Sequence, residues 1–227
     1  MSVSKNRIDE FLLSAQVMIE NALSDSGVKT ALAGYGFTEN KIMDIKKLYE
    51  EVAALHNAQK KEYGEQVAAT SELNEIWEQA DRRYMKTLKI ARVSFKDNVK
   101  AYKAMILYGD RKQSLSGWLE QAKALYSNIL NDPGMLAVIG EYGYTPEKLK
   151  EEEALIDQVT AKHLEQKKEI GEAQEATQNR DKKLDELAMR ISGLRAVAKV
   201  ALDENPQMLE KLGILARTQY KSVKGKV

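Results

Sequence analysis

A chain of 227 residues, 43% of them hydrophobic, 30% charged and only three of them proline, has enough apolar material to bury a sizeable core rather than stay disordered. Its 35 basic and 34 acidic residues leave a net charge of +1, which excludes a strong electrostatic footprint for DNA, RNA or an anionic membrane. The absence of cysteine excludes disulfides and thiolate chemistry, no run approaches the ~18 apolar residues of a membrane span, and the segment from Met1 to Glu10 lacks the apolar stretch of a signal peptide, so a cytoplasmic protein is expected.

The first predicted helix runs from about Arg7 to Leu23, with Ile8, Phe11, Leu12, Ala15, Ile19, Ala22 and Leu23 at helical spacing. Asp25-Ser-Gly27 breaks the chain with turn chemistry. A short helix then ends at Tyr35-Gly36, with Gly36 expected in the left-handed conformation and Tyr35 expected to pack the cap onto the core. Thr38 is a candidate N-cap for a very long helix, Glu39 to about Phe95, which contains no proline and would be roughly 80 Å long at 1.5 Å per residue. Its two ends carry apolar stripes, Ile42, Ile45, Tyr49 and Val52, then Leu73, Trp77, Ala80, Tyr84, Leu88, Ala91 and Phe95. Its middle, His56 to Ser71, is poor in large apolar residues. A closing helix lies near Val99 to Tyr108, and a join rich in Gly, Asp, Gln and Ser runs from about Gly109 to Gly117.

Everything after the join repeats this plan. Shifted by 107 positions, the sequence matches itself without a gap, from Trp118 over Phe11 to Asn205 over Asn98. Tyr142-Gly-Tyr-Thr145 lies over Tyr35-Gly-Phe-Thr38, His163 over His56, and Gln166-Lys-Lys-Glu169 with Gly171-Glu172 over Gln59-Lys-Lys-Glu62 with Gly64-Glu65. The second set of helices is expected at Leu115 to Leu130, after Asp132-Pro-Gly134, from Pro146 to about Leu202, and from Pro206 to Ala216. Two copies are too few for a solenoid, so a pseudo-two-fold bundle is expected.

The fold class expected is therefore all-α: a tandem-duplicated, elongated helical bundle with coiled-coil character, two long antiparallel helices and four-helix lobes. The repeats span residues 7–110 and 114–220 and pack closely on each other. The alternative, two sequential four-helix bundles, needs each long helix to bend back near Gly64 and Gly171. Continuity is favoured, because a hairpin between helices carries more turn residues, and one glycine inside a helix costs only ~1 kcal/mol. In that arrangement Gly64 and Gly171 would let the two backbones approach closely.

No catalytic residues, metal site or cofactor are indicated. The only two histidines, His56 and His163, occupy matched positions. A di-iron bundle would need glutamate three residues before each, and those positions hold Ala53 and Thr160. In the antiparallel arrangement the histidines would lie ~30 Å apart by helix rise, so packing at the rim of the apolar stripe through Val52 and Val159 is the simpler reading. The matched polar block is the other candidate: His56, Gln59, Lys60 and Glu62 with His163, Gln166, Lys167 and Glu169 could present one ligand surface twice. Its plain alternative is exposed Glu and Lys pairs worth a few tenths of a kcal/mol each. Trp77 and Trp118 fall on apolar stripes and read as core, and the basic end, Lys221, Lys224 and Lys226, reads as a frayed terminus.

The Tyr-Gly-Phe/Tyr-Thr turns, the Lys-Lys-Glu-x-Gly-Glu blocks and the closing Pro206-Gln-Met-Leu-Glu-Lys-Leu-Gly-Ile214 together resemble uncharacterised bacterial helical-bundle proteins with the same doubled plan. The resemblance covers nearly the whole chain. It implies the fold and supplies no activity or site residues. The function expected from the residues is a non-enzymatic structural or interaction protein that acts through helical surfaces on a protein partner or on itself, without nucleic acid or membrane. The alternative is a small-ligand- or metal-binding bundle using the repeated mid-helix block.

Overall fold

The structure is a computed structural model and describes residues 7–215. Ala216, Lys221, Lys224, Lys226 and the end of the second repeat lie outside the described residues. Among the described residues there are eight helices and no strand: α1 (Ile8–Ser24), α2 (Ser26–Gly34), α3 (Glu39–Ser94), α4 (Val99–Ala104), α5 (Leu115–Asn131), α6 (Pro133–Gly140), α7 (Pro146–Ala201) and α8 (Pro206–Lys211). Ile8 to Leu115, Ser26 to Pro133, Glu39 to Pro146 and Val99 to Pro206 are each a step of 107 residues.

The boundaries follow from a few side chains. Asp25 ends α1 and caps α2, its carboxylate accepting from the backbone N–H groups of Gly27 at 3.0 Å and Val28 at 3.1 Å. Asp132 does the same between α5 and α6, accepting from Met135 N–H at 3.0 Å with Pro133 in the first turn, where its missing N–H costs nothing. Thr145 accepts from Lys148 N–H at 3.3 Å and starts α7.

At the end of α2, Gly36 has a φ of 79°. The chain turns back on itself: Phe37 N–H bonds Leu32 O and Gly36 N–H bonds Ala33 O, both at 3.0 Å. This turn corrects the reading of the aromatic staple. The residue it folds onto the core is the one after the glycine: Phe37 packs on the first core and Tyr144 is buried. Tyr35 and Tyr142 precede the glycine and stay 58% and 47% exposed.

The closing helices are shorter than the periodicity suggests, for a related reason. Ile106 adopts a φ of 51°, with Leu107 N–H bonded to Tyr102 O at 3.0 Å, and this turn stops α4 at Ala104. A β-branched residue there carries a cost of roughly 1–2 kcal/mol, offset by seating Met105 and Leu107, both fully buried. The residue 107 positions on is Gly213, φ 68°, which ends α8 in the same way without that cost.

The contacts divide the chain into two compact units that are not the two sequence repeats. The first takes residues up to Glu62 and from Ala173 onward: α1, α2, the first part of α3, the last part of α7 and α8. Its core gathers Leu12, Met18, Ile19, Leu32, Ile42, Val52, Leu187, Leu194 and Leu212. Gln59 meets Arg180 while Phe37 lies near Gly193, so the α3 and α7 segments run in opposite directions within this unit. Asn21 and Asp25 hold α8 through Lys211, by its carbonyl at 2.6 Å and its ammonium at 2.7 Å.

The second unit takes Tyr63 to Glu172: the rest of α3, α4, α5, α6 and the first part of α7. Trp118, Tyr84, Tyr126, Phe95 and Leu125 fill its centre. Glu72 pairs with Lys162 and Thr87 with Glu152, so here too the α3 and α7 segments are antiparallel. Each unit thus has five helical segments rather than four, α8 and α4 being the additional ones.

Both long helices are unbroken through Gly64 and Gly171, so the bend required by two sequential bundles does not occur. The expectation of close backbone approach at these glycines is corrected as well. A Cβ built on either meets nothing within 4 Å, and both residues are exposed. Each apolar core simply stops short of them. In the first unit the large buried residues end at Val52 and Leu184, and in the second they begin at Leu73 and Val159. Each such side chain contributes about 1.5–3 kcal/mol when buried, so the intervening turns rest on Ala69, Ala173 and paired polar groups instead.

Candidate functional site

The repeated mid-helix block starts, in the first unit, with His56. It is 7% exposed, and its Nε2 donates to Asp9 Oδ1 at 3.1 Å, while Nδ1 is buried without a partner. Lys60 donates to the same Asp9 oxygen at 3.1 Å. Hydrogen bonds from Lys60 and then His56 hold the Asp9 carboxyl below its usual range. Gln59 Oε1 accepts from Arg180 Nη1 at 2.8 Å, and Arg180, itself buried, is also bonded to Asp181 at 2.6 Å.

In the second unit the matched residues do different things. His163 is half-buried with Nδ1 unpartnered. Gln166 donates to Thr70 Oγ1 at 3.3 Å, and Lys167 is exposed. Glu169 is half-buried, with Lys168 Nζ at 3.4 Å. The eight candidate residues therefore do not form one surface presented twice. Two positions account for much of the difference: Asp9, which organises His56 and Lys60, has Ser116 as its counterpart 107 residues later, and Arg180, which holds Gln59, has Leu73 as its counterpart 107 residues earlier.

What does come together is a set of carboxylates. Glu65 on α3 faces Glu169 on α7, and Glu62 stands one helical turn before Glu65 on α3. Glu65 and Glu169, both in the second unit, offer oxygen atoms within 4.8 Å of each other. Two like charges at that spacing repel by about 1 kcal/mol even in bulk water, a repulsion that Lys168 beside Glu169 offsets in part and that a bound cation would offset further. An all-oxygen set suits a hard cation such as Mg²⁺, Ca²⁺ or Mn²⁺ rather than zinc or copper. Glu65 belongs to the repeated polar block through its Gly64-Glu65 pair, although it is not one of the eight residues expected to bind a ligand.

Two further arrangements lie wholly in the second unit. In its core, Glu152 Oε2 accepts from Thr87 Oγ1 at 2.6 Å and from Tyr126 OH at 3.0 Å, all three residues being buried. Burial, and then the neighbouring carboxylate, push the Tyr126 hydroxyl far above its ordinary range, so it remains a donor. Nearer the surface, Asn74, Trp77, Glu78, Asp81 and Arg111 line a groove of about 320 Å³. Asp81 Oδ1 there accepts from Trp118 Nε1 and from Arg111 Nε, each at 2.7 Å. The Trp77 and Trp118 rings are 5.9 Å apart between centroids and tilted at 60°. Trp118 is core as expected, whereas Trp77 is only partly buried and forms a wall of the groove. Among the described residues no helix is long and apolar enough to cross a membrane. No family model, curated protein or solved structure matches this chain.

Proposed function

We propose that this is a ligand-binding helical-bundle protein whose mid-helix carboxylates Glu65 and Glu169, both in the second unit, take a hard divalent cation. The observation that carries the reading is the convergence of the Glu65 and Glu169 carboxylates, with oxygens within 4.8 Å, on two uninterrupted helices. Rigid helices hold such groups more precisely than loops do. Bound metal would join α3 to α7 within the second unit, beyond the end of its apolar core, and so would act on stability rather than on chemistry. The uniform step of 107 residues between matched helices supports a tandem duplication as the origin of the scaffold, and a cytoplasmic place of action belongs to the same proposal.

Chelator-stripped protein is to be titrated with Mn²⁺, Mg²⁺ and Ca²⁺, with unfolding followed by circular dichroism. A site filled at a hundred times its Kd adds about 2.7 kcal/mol to stability. The expected result is a rise in Tm with at least one ion that is lost in the E65Q/E169Q variant. An identical response of wild type and variant would remove the site. A second reading, an interaction protein, is favoured by Tyr63 and Val67, one turn apart on α3 and 58% and 52% exposed. Serine at both positions should then abolish any concentration-dependent rise in mass seen by light scattering.

A further inference from the structure

The Trp77 groove has no equivalent in the first unit. The residues 107 positions from Trp77, Asp81 and Trp118 are Leu184, Ala188 and Phe11, which supply neither an indole nor a carboxylate. Two tryptophans and an aspartate thus stand in the second unit where the first has leucine, phenylalanine and alanine. At about 320 Å³ the groove is in the range of small-molecule sites, which combine aromatic walls with a few fixed polar groups.

The charges select the ligand. Arg111 is the one basic residue in the lining, and it is engaged within the protein. Its Nε meets Asp81, and its Nη1 meets Lys112 O at 3.3 Å and Gln113 Oε1 at 3.2 Å. Asp81 is held by one oxygen, through Trp118 and Arg111, which leaves the other for a ligand. Glu78 has only a 3.8 Å approach from Arg82, with both side chains more than two-thirds exposed. Two carboxylates against one guanidinium give the lining a net charge of −1. An anion is repelled there. A cation meets the negative face of an indole as well as the carboxylates.

We propose that this groove binds a small organic ammonium ion, seated on the Trp77 indole with Glu78 and Asp81 as counter-charges. Trp77 is the principal contact, Glu78 and Asp81 the electrostatic ones, and Trp118 and Arg111 are positioning residues that fix Asp81. The site is independent of the mid-helix carboxylates, and either can fail without the other.

Trp77 and Trp118 are the only tryptophans in the chain, so tryptophan emission, excited at wavelengths that tyrosine does not absorb, reports on this groove alone. Full-length protein is to be titrated with tetramethylammonium chloride and, separately, with butylammonium chloride, against sodium chloride at matched ionic strength. The expected result is a saturable change in emission with at least one ammonium probe and none with sodium. Preference for tetramethylammonium assigns the site to quaternary headgroups, and preference for butylammonium to primary amines. W77L, read through Trp118, should weaken binding at least about tenfold, a cation–π loss. W77F keeps an aromatic face, though a smaller one, and the indole N–H it also removes has no acceptor, so it should bind more tightly than W77L and stay within about threefold of wild type. E78Q should weaken binding and reduce its dependence on salt. No saturable response to either probe up to about 10 mM, well above the millimolar Kd of a weak site, would overturn the proposal. So would a correctly folded W77L variant that binds like wild type.

Discussion

The buried Glu152 cluster allows a sharp test of how polar groups are tolerated in this core. Thr87, Tyr126 and Glu152 are 0%, 0% and 5% exposed. The residues 107 positions away are Leu194, Ile19 and Ile45, 0%, 1% and 3% exposed, all in the apolar core of the first unit. The same helical framework therefore accepts an apolar trio at these places. T87V or Y126F alone takes one hydroxyl donor from a buried carboxylate, and a hydrogen bond to a charged group is worth about 1.5–3 kcal/mol. E152L alone leaves two buried hydroxyls without their acceptor, at about 1–3 kcal/mol each. The triple variant T87V/Y126F/E152L keeps the approximate shape and removes every polar atom. Replacing buried charged networks with apolar side chains of similar volume is often neutral or stabilising by about 1–4 kcal/mol. Urea unfolding should thus place all three single variants below wild type and the triple variant at or above it, with an unchanged slope m. A triple variant as unstable as the three single losses added together would refute the reasoning. It would mean that packing shape, and not hydrogen-bond pairing, decides stability at this point.

Gly64→Ala and Gly171→Ala should each raise stability by about 0.5–1 kcal/mol, since both glycines lie inside continuous helices with open space where a Cβ would sit. A loss from either substitution in urea unfolding would show a close approach there after all. Acid unfolding should depend on Asp9 and Asp25, whose carboxyls are held below their ordinary 3.8, by Lys60 and His56 and by Lys211 and the α2 backbone respectively. A lowered folded-state value stabilises fully above the unfolded pKa and is lost as pH falls through the folded one. D9N/D25N should therefore flatten the acid limb below about pH 4. Superimposable acid limbs for variant and wild type would contradict the linkage.

Local rules carried the helix plan well. Tyr-Gly pairs, the two Asp turns and Pro146 mark ends that need only neighbouring residues to be read, and the lack of proline from Glu39 onward left α3 no place to stop before Ser94. The departures arose where local chemistry meets tertiary packing. In the turn after α2 the side chain folded inward is Phe37, set by the direction of the reversed chain and not by adjacency to Gly36. Ile106 takes a glycine-like conformation that no propensity favours, because its neighbours Met105 and Leu107 both enter the core. The site residues were legible only in part. Repetition pointed to Glu62 and Glu169, but the facing of Glu65 and Glu169, a hundred positions apart, is set by the register of α3 against α7. The pairing of Trp77 with Trp118 and Asp81 depends in the same way on how α5 seats on α3, which apolar periodicity does not encode.

The division of the chain has a consequence for the order of assembly. The second unit is one unbroken stretch, residues 63–172, while the first is made of two pieces on either side of it. During synthesis every residue of the second unit has been added before Ala173, so its core can close while the first still lacks the α7 segment and α8. Until those arrive, Ile42 and Val52 have no Leu187 or Leu194 to cover them. Closing the first unit joins partners as distant as Asn21 and Lys211, 190 residues apart. Loop entropy grows with the free length of intervening chain, so prior folding of the second unit shortens the span that the first must bridge. The second unit, once folded, thus spares the first unit part of that span, and the first unit completes its core only with the end of α7 and with α8.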